Sequence, residues 1–317
     1  MRTFVYLCRK VYVMIYTIGE TVLDIVLKEM QPQAIKAGGS ALNTAVSIAQ
    51  LGNSVNFISE LGTDTAGNFI IDFLNKKKVN TSHIISYTGK TSLAIAYLNE
   101  HNDAQYQFYK DMPESVEFAP LKLSNKDIVL FSSSYAIAQR NRKALMNILK
   151  QAQHTNALKI YDPNIRKQIK AGSNELHMIE ENLSIADIVR ASDEDCVAIF
   201  NTHNSNEIFA KAQNYGVSVL IITKNKDTVE IHTPHFSAEY SVPQIHPVST
   251  IGAGDTFNAG IIHCLKDIHQ TYSHTKDIPK EFWNTAIPFA IECAGAVCQS
   301  YDNYLSKTDT NSTNSFV

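Results

Sequence analysis

Short apolar runs of strand length alternate along this chain with segments whose apolar residues recur at helical spacing, and that alternation leaves few folds open. The runs are Val13–Ile18, Val55–Ser59, Ile128–Phe131, Leu158–Tyr161, Ile188–Ala191, Val219–Thr223 and Val229–His232. Strands separated by helices pair in parallel through crossovers, giving a mainly parallel sheet with helices over it. Ser40 is read as the cap of a helix that places Leu42, Ala45, Val46 and Ala49 on one face and ends at Gly52. A second helix groups Phe69, Ile70, Phe73 and Leu74; a third begins near Asp255 and buries Phe257, Ile261, Ile262 and Leu265. These stripes are core.

Two stretches break the alternation. Val22–Ile35 and Ser92–Tyr109 read as strands with no helix between them. In the second, Ala94, Ala96 and Leu98 alternate with Ile95, Tyr97 and Asn99, so both faces are partly apolar. A small exposed sheet of that kind needs a ligand or another subunit against it, as a dimerising lid has. The domain is expected to span 14–305, with the lid at about 22–37 and 91–110. Met14 opens the first strand cleanly, so residues 1–13 read as an upstream extension and 306–317 as a frayed polar tail.

The bulk numbers narrow the function. With 317 residues, 44% of them hydrophobic and 19% charged, the chain has the composition of a globular enzyme. A net charge of -3 gives no basic surface for nucleic acid, and Lys76-Lys77-Lys78 reads as a solvated helix face. Five cysteines (Cys8, Cys196, Cys264, Cys293 and Cys298) form neither a disulfide framework nor a zinc cluster. Reduced thiols suit a cytoplasmic protein. The apolar start, Phe4–Ile18, is interrupted by Arg9 and Lys10 and lacks the length of a membrane span and the cleavage pattern of a signal peptide. No metal-ligand set is visible. Small molecules are the expected partners.

The strongest chemical signal is Thr250-Ile251-Gly252-Ala253-Gly254-Asp255-Thr256-Phe257. Small residues before an apolar-striped helix let backbone N–H groups converge on an anion, which the helix dipole also favours. A carboxylate at the mouth of such a nest repels a phosphate that is merely bound. It fits if Asp255 faces an attacking hydroxyl while the amides hold a transferring phosphoryl group. The bland reading is an acidic first-turn residue. A second cluster, Gly38-Gly39-Ser40-Ala41-Leu42-Asn43, opens the first long helix; paired glycines admit a ligand close to the backbone, and Asn43 can donate to and accept from a hydroxyl. Alone, such a turn is more often structural. Neither common nucleotide motif is present: Gly89-Lys90-Thr91 has Ile84 where a Walker loop needs glycine, and Phe257 stands at the third glycine of a dinucleotide fingerprint.

Together these segments resemble the ribokinase-like (PfkB) carbohydrate kinases. Gly38 through Asn43 to Leu51-Gly52 is similar to their first signature, and Thr250 to Asp255 to their second. The likeness runs through Gly19-Glu20 with Asp24, through Leu61-Gly62-Thr63-Asp64-Thr65-Ala66-Gly67, and to Asp162-Pro163-Asn164-Ile165-Arg166, which is most similar to the fructokinase branch. It covers roughly Met14 to Tyr301. The resemblance implies a three-layer αβα sandwich with a small β-sheet lid that forms a homodimer. It implies a sugar held by Asp24, Gly38, Gly39 and Asn43, with Arg166 near the phosphates, and ATP held around Asn164, Thr223, Thr250, Gly252 and Gly254. Gly252, Ala253 and Gly254 match the anion hole and Asp255 the general base; Mg²⁺ comes with ATP, and some members use a monovalent cation.

The departures fall on the nucleotide side. Thr223 is followed by Lys224-Asn225-Lys226-Asp227-Thr228 instead of the usual Thr-x-Gly-x-x-Gly, so side chains stand where ribose and phosphate approach the backbone. Ser249 replaces an Asp linked to sugar positioning or a cation loop, and Ser192-Asp193-Glu194-Asp195 replaces an Asn/Ser-x-x-Glu motif tied to Mg-phosphate. The usual Gly-Ala after the last helix is replaced around Tyr301-Asp302-Asn303. Two functions follow: an active ATP-dependent, fructokinase-like sugar kinase, or a catalytically weakened sugar- or nucleoside-binding sensor or scaffold. A nucleotide-dependent oxidoreductase is disfavoured because no dinucleotide loop follows the first strand.

Overall fold

The structure, a computed structural model, describes residues 13–99, 104–165, 168–272 and 274–306. The expectations for residues 1–12 and 307–317, Cys8 among them, lie outside these.

Seven strands form the parallel body of the large sheet: β1 (Ile15–Ile18), β4 (Val55–Gly62), β5 (Ile84–Tyr87), β8 (Ile128–Ser132), β9 (Leu158–Asp162), β10 (Ile188–Ser192) and β11 (Val219–Lys224). The antiparallel pair β12 (Thr228–His232) and β13 (Ser237–Ser241) completes nine strands, in the order β13-β12-β11-β10-β9-β8-β1-β4-β5. Ile15 pairs with Val55 on one side and Ile128 on the other, so β1 marks the place where strand order reverses. The carboxyl ends of the parallel strands on either side of such a switch frame the usual ligand crevice of an open α/β sheet. These strands form where most side chains are apolar because both faces are covered; the burial of all five residues of β8 and of β9 agrees, although β9 also buries Lys159 and Asp162.

One face is covered by α1 (Ser40–Gln50), α2 (Thr65–Lys76), α7 (Ala253–Ile268) and α8 (Lys280–Cys298), packed around Trp283, Leu42, Phe57 and Leu130. The other carries α3 (Arg142–Thr155), α4 (Asn174–Ile185), α5 (Asp193–Phe200) and α6 (Ser205–Gln213), around Phe131, Tyr161, Ile148 and Leu183. This is the expected three-layer sandwich. Phe69 is a correction: it is 44% exposed, so the stripe of α2 is carried inward by Ile70 and Leu74. Cys196, Cys264, Cys293 and Cys298 are free thiols, and burial pushes Cys264 up to about 11 and Cys293 to about 12.

The second sheet has four strands, in the order β3 (Gln31–Gly38), β2 (Val22–Lys28), β6 (Leu93–Leu98) and β7 (Ala104–Tyr109). Register pairs Asp24 with Lys36 and Ala94, and Ala94 with Phe108, putting these four on one face; Ile25, Ile35, Ile95 and Gln107 share the other.

Candidate active site

The chain enters α7 through Gly252, whose φ of 83° and ψ of −3° lie in the left-handed region that an L side chain resists. A Cβ there would also stand 2.1 Å from the Asn303 carbonyl oxygen, so the C-terminal segment packs directly on this turn. Ala253 donates its N–H to the Thr250 carbonyl at 3.3 Å, which closes the turn and engages one of the three amides expected in the anion hole.

Asp255, in the first turn of α7, is buried. Its Oδ1 accepts the Ser40 hydroxyl at 2.6 Å and its Oδ2 the Asn43 side-chain amide at 2.9 Å. The Thr44 hydroxyl donates to the Asp255 carbonyl at 3.1 Å, and the Ser47 and Thr256 hydroxyls meet at 3.4 Å. The opening turns of α1 and α7 are thus stitched side to side, and the two polar ends fix the carboxylate in one orientation. Ser40 is therefore not the helix cap expected from its position. Gly39 is the cap, with φ 127°, and Ser40 is the first helical residue, its hydroxyl turned to Asp255.

Asp24 reaches toward the same end of α1 from β2. A Cβ on Gly38 would fall 1.8 Å from Asp24 Oδ2, so this glycine makes room for the carboxylate; a Cβ on Gly39 would strike the Glu20 carbonyl at 2.3 Å. Asn43 Oδ1 is buried with no partner among the described residues, while its amide holds Asp255. Arg166 lies outside the described residues. Two ion pairs escaped sequence reasoning: Lys110, just past the end of β7, with Glu20 at 2.6 Å, and Arg140, just before α3, with the deeply buried Glu60 of β4. No spacing rule joins residues so far apart in sequence.

On the other side of Asp255 opens a cleft of about 1760 Å³, lined among others by Asn164, Arg190, Thr223, Lys226, Thr250 and Gly254. After Thr223, in the segment where the glycines are missing, Asn225 and Lys226 line the cleft. Lys224 turns to pair with Glu230, and Asn225 takes a left-handed φ of 51°. Thr223 accepts a hydrogen bond from Arg190 Nη2 at 2.6 Å. Asp195 forms a capping box with Ser192 at the start of α5, and its other oxygen accepts the Ile165 N–H at 2.6 Å. Under the cleft floor, fully buried Asp162 accepts from Arg190 Nη1 at 3.2 Å and from the Asn258 amide at 2.5 Å. Burial, opposed by Arg190, pushes the Asp162 carboxyl up to about 6.

The profile of the "pfkB family carbohydrate kinase" family matches residues 12–310. The chain belongs to that family. As a pfkB kinase it is a phosphotransferase with an alcohol group as acceptor, and its relatives point to sugars. It is 26% identical over 301 residues to the Arabidopsis thaliana protein "Probable fructokinase-5", covering 90% of this chain and 91% of that one. Its fold superimposes on the Vibrio cholerae O395 fructokinase bound to fructose, ADP and calcium with a TM-score of 0.82, at 19% identity, over 96% of this chain and 98% of the other. The Salmonella enterica aminoimidazole riboside kinase, complexed with that riboside and an ATP analog, gives 0.81 at 20% identity, over 96% and 99%. The two neighbours bind different acceptors on one fold, so the pfkB scaffold does not by itself choose the alcohol.

Proposed function

We propose that this kinase transfers the terminal phosphoryl group of ATP to a hydroxyl of a fructose-like sugar, with Asp255 as general base and the turn at Gly252–Gly254 as anion hole. The observation that carries it is the position of Asp255: a buried carboxylate at the end of the open cleft, oriented by Ser40 and Asn43 from the helix that starts beside Asp24. Asp24, Gly38, Gly39 and Asn43 orient the sugar, as their grouping beside Asp255 supports. Asp255 accepts the proton of the attacking hydroxyl, the step such a carboxylate performs in phosphoryl transfer. Amides of the α7 turn and its dipole stabilise the charge on the migrating group.

Asp193 and Glu194 stand on the cleft wall, and Asp195 is engaged in its capping box; the first two are the carboxylates that would hold a nucleotide-borne Mg²⁺. That ion neutralises phosphate charge when bound.

A coupled assay of ADP formation across a panel of sugars and nucleosides tests the proposal, with fructose expected among the best acceptors. No ADP release with any acceptor would count against it. A sensor or scaffold role is the second reading, favoured by the engagement of Lys224 with Glu230 and by the Asn225 and Lys226 side chains lining the cleft at the nucleotide strand end. Calorimetry separates the two, because that reading requires sugar binding without ATP binding.

The lid leaves Ile35 57% exposed on its outer face, beside Ile25 and Ile95, which supports a homodimer through that face. Light scattering should give twice the chain mass, reduced to one by Ile35→Asp. Among the described residues no helix is long and apolar enough to cross a membrane. The free thiols at Cys196, Cys264, Cys293 and Cys298 support our reading of a cytoplasmic location.

A further inference from the structure

Arg190 is a cation buried in the wall of an otherwise open cleft. It sits on β10 between apolar neighbours, is 9% exposed, and still lines the cavity. Its guanidinium reaches in three directions: Nη1 to Asp162 on β9, Nη2 to Thr223 at the end of β11, and its carbon 5.7 Å from the Phe257 ring centroid on α7. It also fills the space beside Gly254, where a Cβ would approach Nη1 at 2.8 Å, Nη2 at 3.1 Å and the guanidinium carbon at 3.2 Å.

As a purely structural ion pair this arrangement is poor. The contact with Asp162 is a single bond of 3.2 Å, not a bidentate clasp. Both partners keep an unmet polar atom, Arg190 Nε and Asp162 Oδ1, each buried without a hydrogen bond among the described residues. Buried ion pairs cost desolvation and are retained readily only when their remaining donors are met. Arg190 has five N–H groups in a planar fork and uses two of them here.

We propose that Arg190 is the phosphate-binding cation of this cleft, contacting the phosphate chain of the nucleotide between Thr223 and the turn at Gly254. It then supplies what the absent glycine-rich segment after Thr223 does not. Lys224 is committed to Glu230, and Lys226, the other permanent cation among the described lining residues, is exposed on a turn. A phosphate oxygen accepts from the second N–H of Nη1 or Nη2, each of which uses one here, and Asp162 and Thr223 hold the guanidinium in register with the first turn of α7. The inference rests on the nucleotide-binding part of the proposed function.

The test is calorimetry of ATP, ADP, adenosine and fructose binding to full-length wild type, Arg190→Gln, Arg190→Lys and the double variant Asp162→Asn/Arg190→Gln. The double variant removes both charges together, so a folding failure of the single one does not decide the matter. Charge-assisted hydrogen bonds to phosphate lead us to expect ATP and ADP affinities lower by about ten- to a hundredfold in both Gln variants. Adenosine and fructose affinities should stay within about threefold, and Arg190→Lys should recover most of the loss. ADP affinity unchanged, or lost in step with adenosine and fructose, would overturn the inference. If the wild type binds ATP but phosphorylates no acceptor, the kinase reading falls while the ADP comparison still decides the role of Arg190. If the wild type phosphorylates a sugar and Arg190→Gln keeps its ADP affinity, only the inference falls. A wild type that binds no nucleotide overturns both.

Discussion

Ser40 donates its hydroxyl to the Asp255 carboxylate at 2.6 Å across 215 residues of sequence, so the first residue of one helix sets the angle of the acid at the start of another. Asn43 holds the second oxygen. The carboxylate is positioned by α1, the same helix whose leading glycines leave room for the Asp24 carboxylate and the Glu20 carbonyl.

Removing that bond should affect rate more than fold. A hydrogen bond to a charged group contributes about 1.5–3 kcal/mol. In Ser40→Ala, kcat for the best sugar should fall by roughly ten- to a hundredfold, with KM for ATP little changed. Steady-state kinetics checks this, and an unchanged kcat would mean that Ser40 does not orient the acid.

Two glycines should respond differently to the same alanine substitution. At Gly252 the obstacle is a backbone carbonyl at 2.1 Å together with a left-handed φ, which alone costs about 1–2 kcal/mol. Gly252→Ala should therefore lower stability in urea by more than about 2 kcal/mol. At Gly38 the obstacle is the end of the Asp24 side chain, which can rotate away. Gly38→Ala should keep nearly wild-type stability and raise KM for the sugar at least about tenfold.

The Glu60 side chain is only 1% exposed and is met by Arg140, which also donates to the Pro113 carbonyl at 3.2 Å. Arg140→Met leaves a buried carboxylate without its cation, a loss of about 3–5 kcal/mol in such pairs. Chemical denaturation reads it, and a loss under about 1 kcal/mol would show that water reaches Glu60.

Asp162 gives a pH dependence with a definite sign. Its folded-state value of about 6 lies above the ordinary carboxyl value of about 3.8, so the native state binds the extra proton between those limits. The associated stability is fully present below about pH 3.8 and is lost as pH rises through about 6. The stability difference between wild type and Asp162→Asn should therefore fall over this window and level off above it. A difference that grew with pH would mean that Arg190 dominates over burial.

Much of this was legible in the sequence for reasons that are local. Strands buried on both faces are written as continuous apolar runs, and β8 and β11 are legible that way. β13, half exposed with the sequence Ser-Ala-Glu-Tyr-Ser, offers no such run and was missed. The two glycine-bearing turns were visible because glycine marks positive φ and close approach. Arg190 was not: in sequence it is one charged residue inside an apolar strand, and its partners Asp162, Thr223 and Gly254 lie on three other segments. An arginine between Val189 and Ala191 was the available signal, since such a residue must find a countercharge or a ligand. Ser40 was misread for the related reason that a cap is a local inference, whereas its partner lies far along the chain.

The central claim is that Asp255 takes the proton from the sugar hydroxyl. The most direct measurement is the single-turnover rate of ADP formation by Asp255→Asn, set beside its calorimetric sugar affinity. The account predicts a rate lower by roughly 10²–10⁴-fold with sugar affinity within about threefold of wild type. A rate within about threefold of wild type, or sugar binding lost together with the rate, would contradict it.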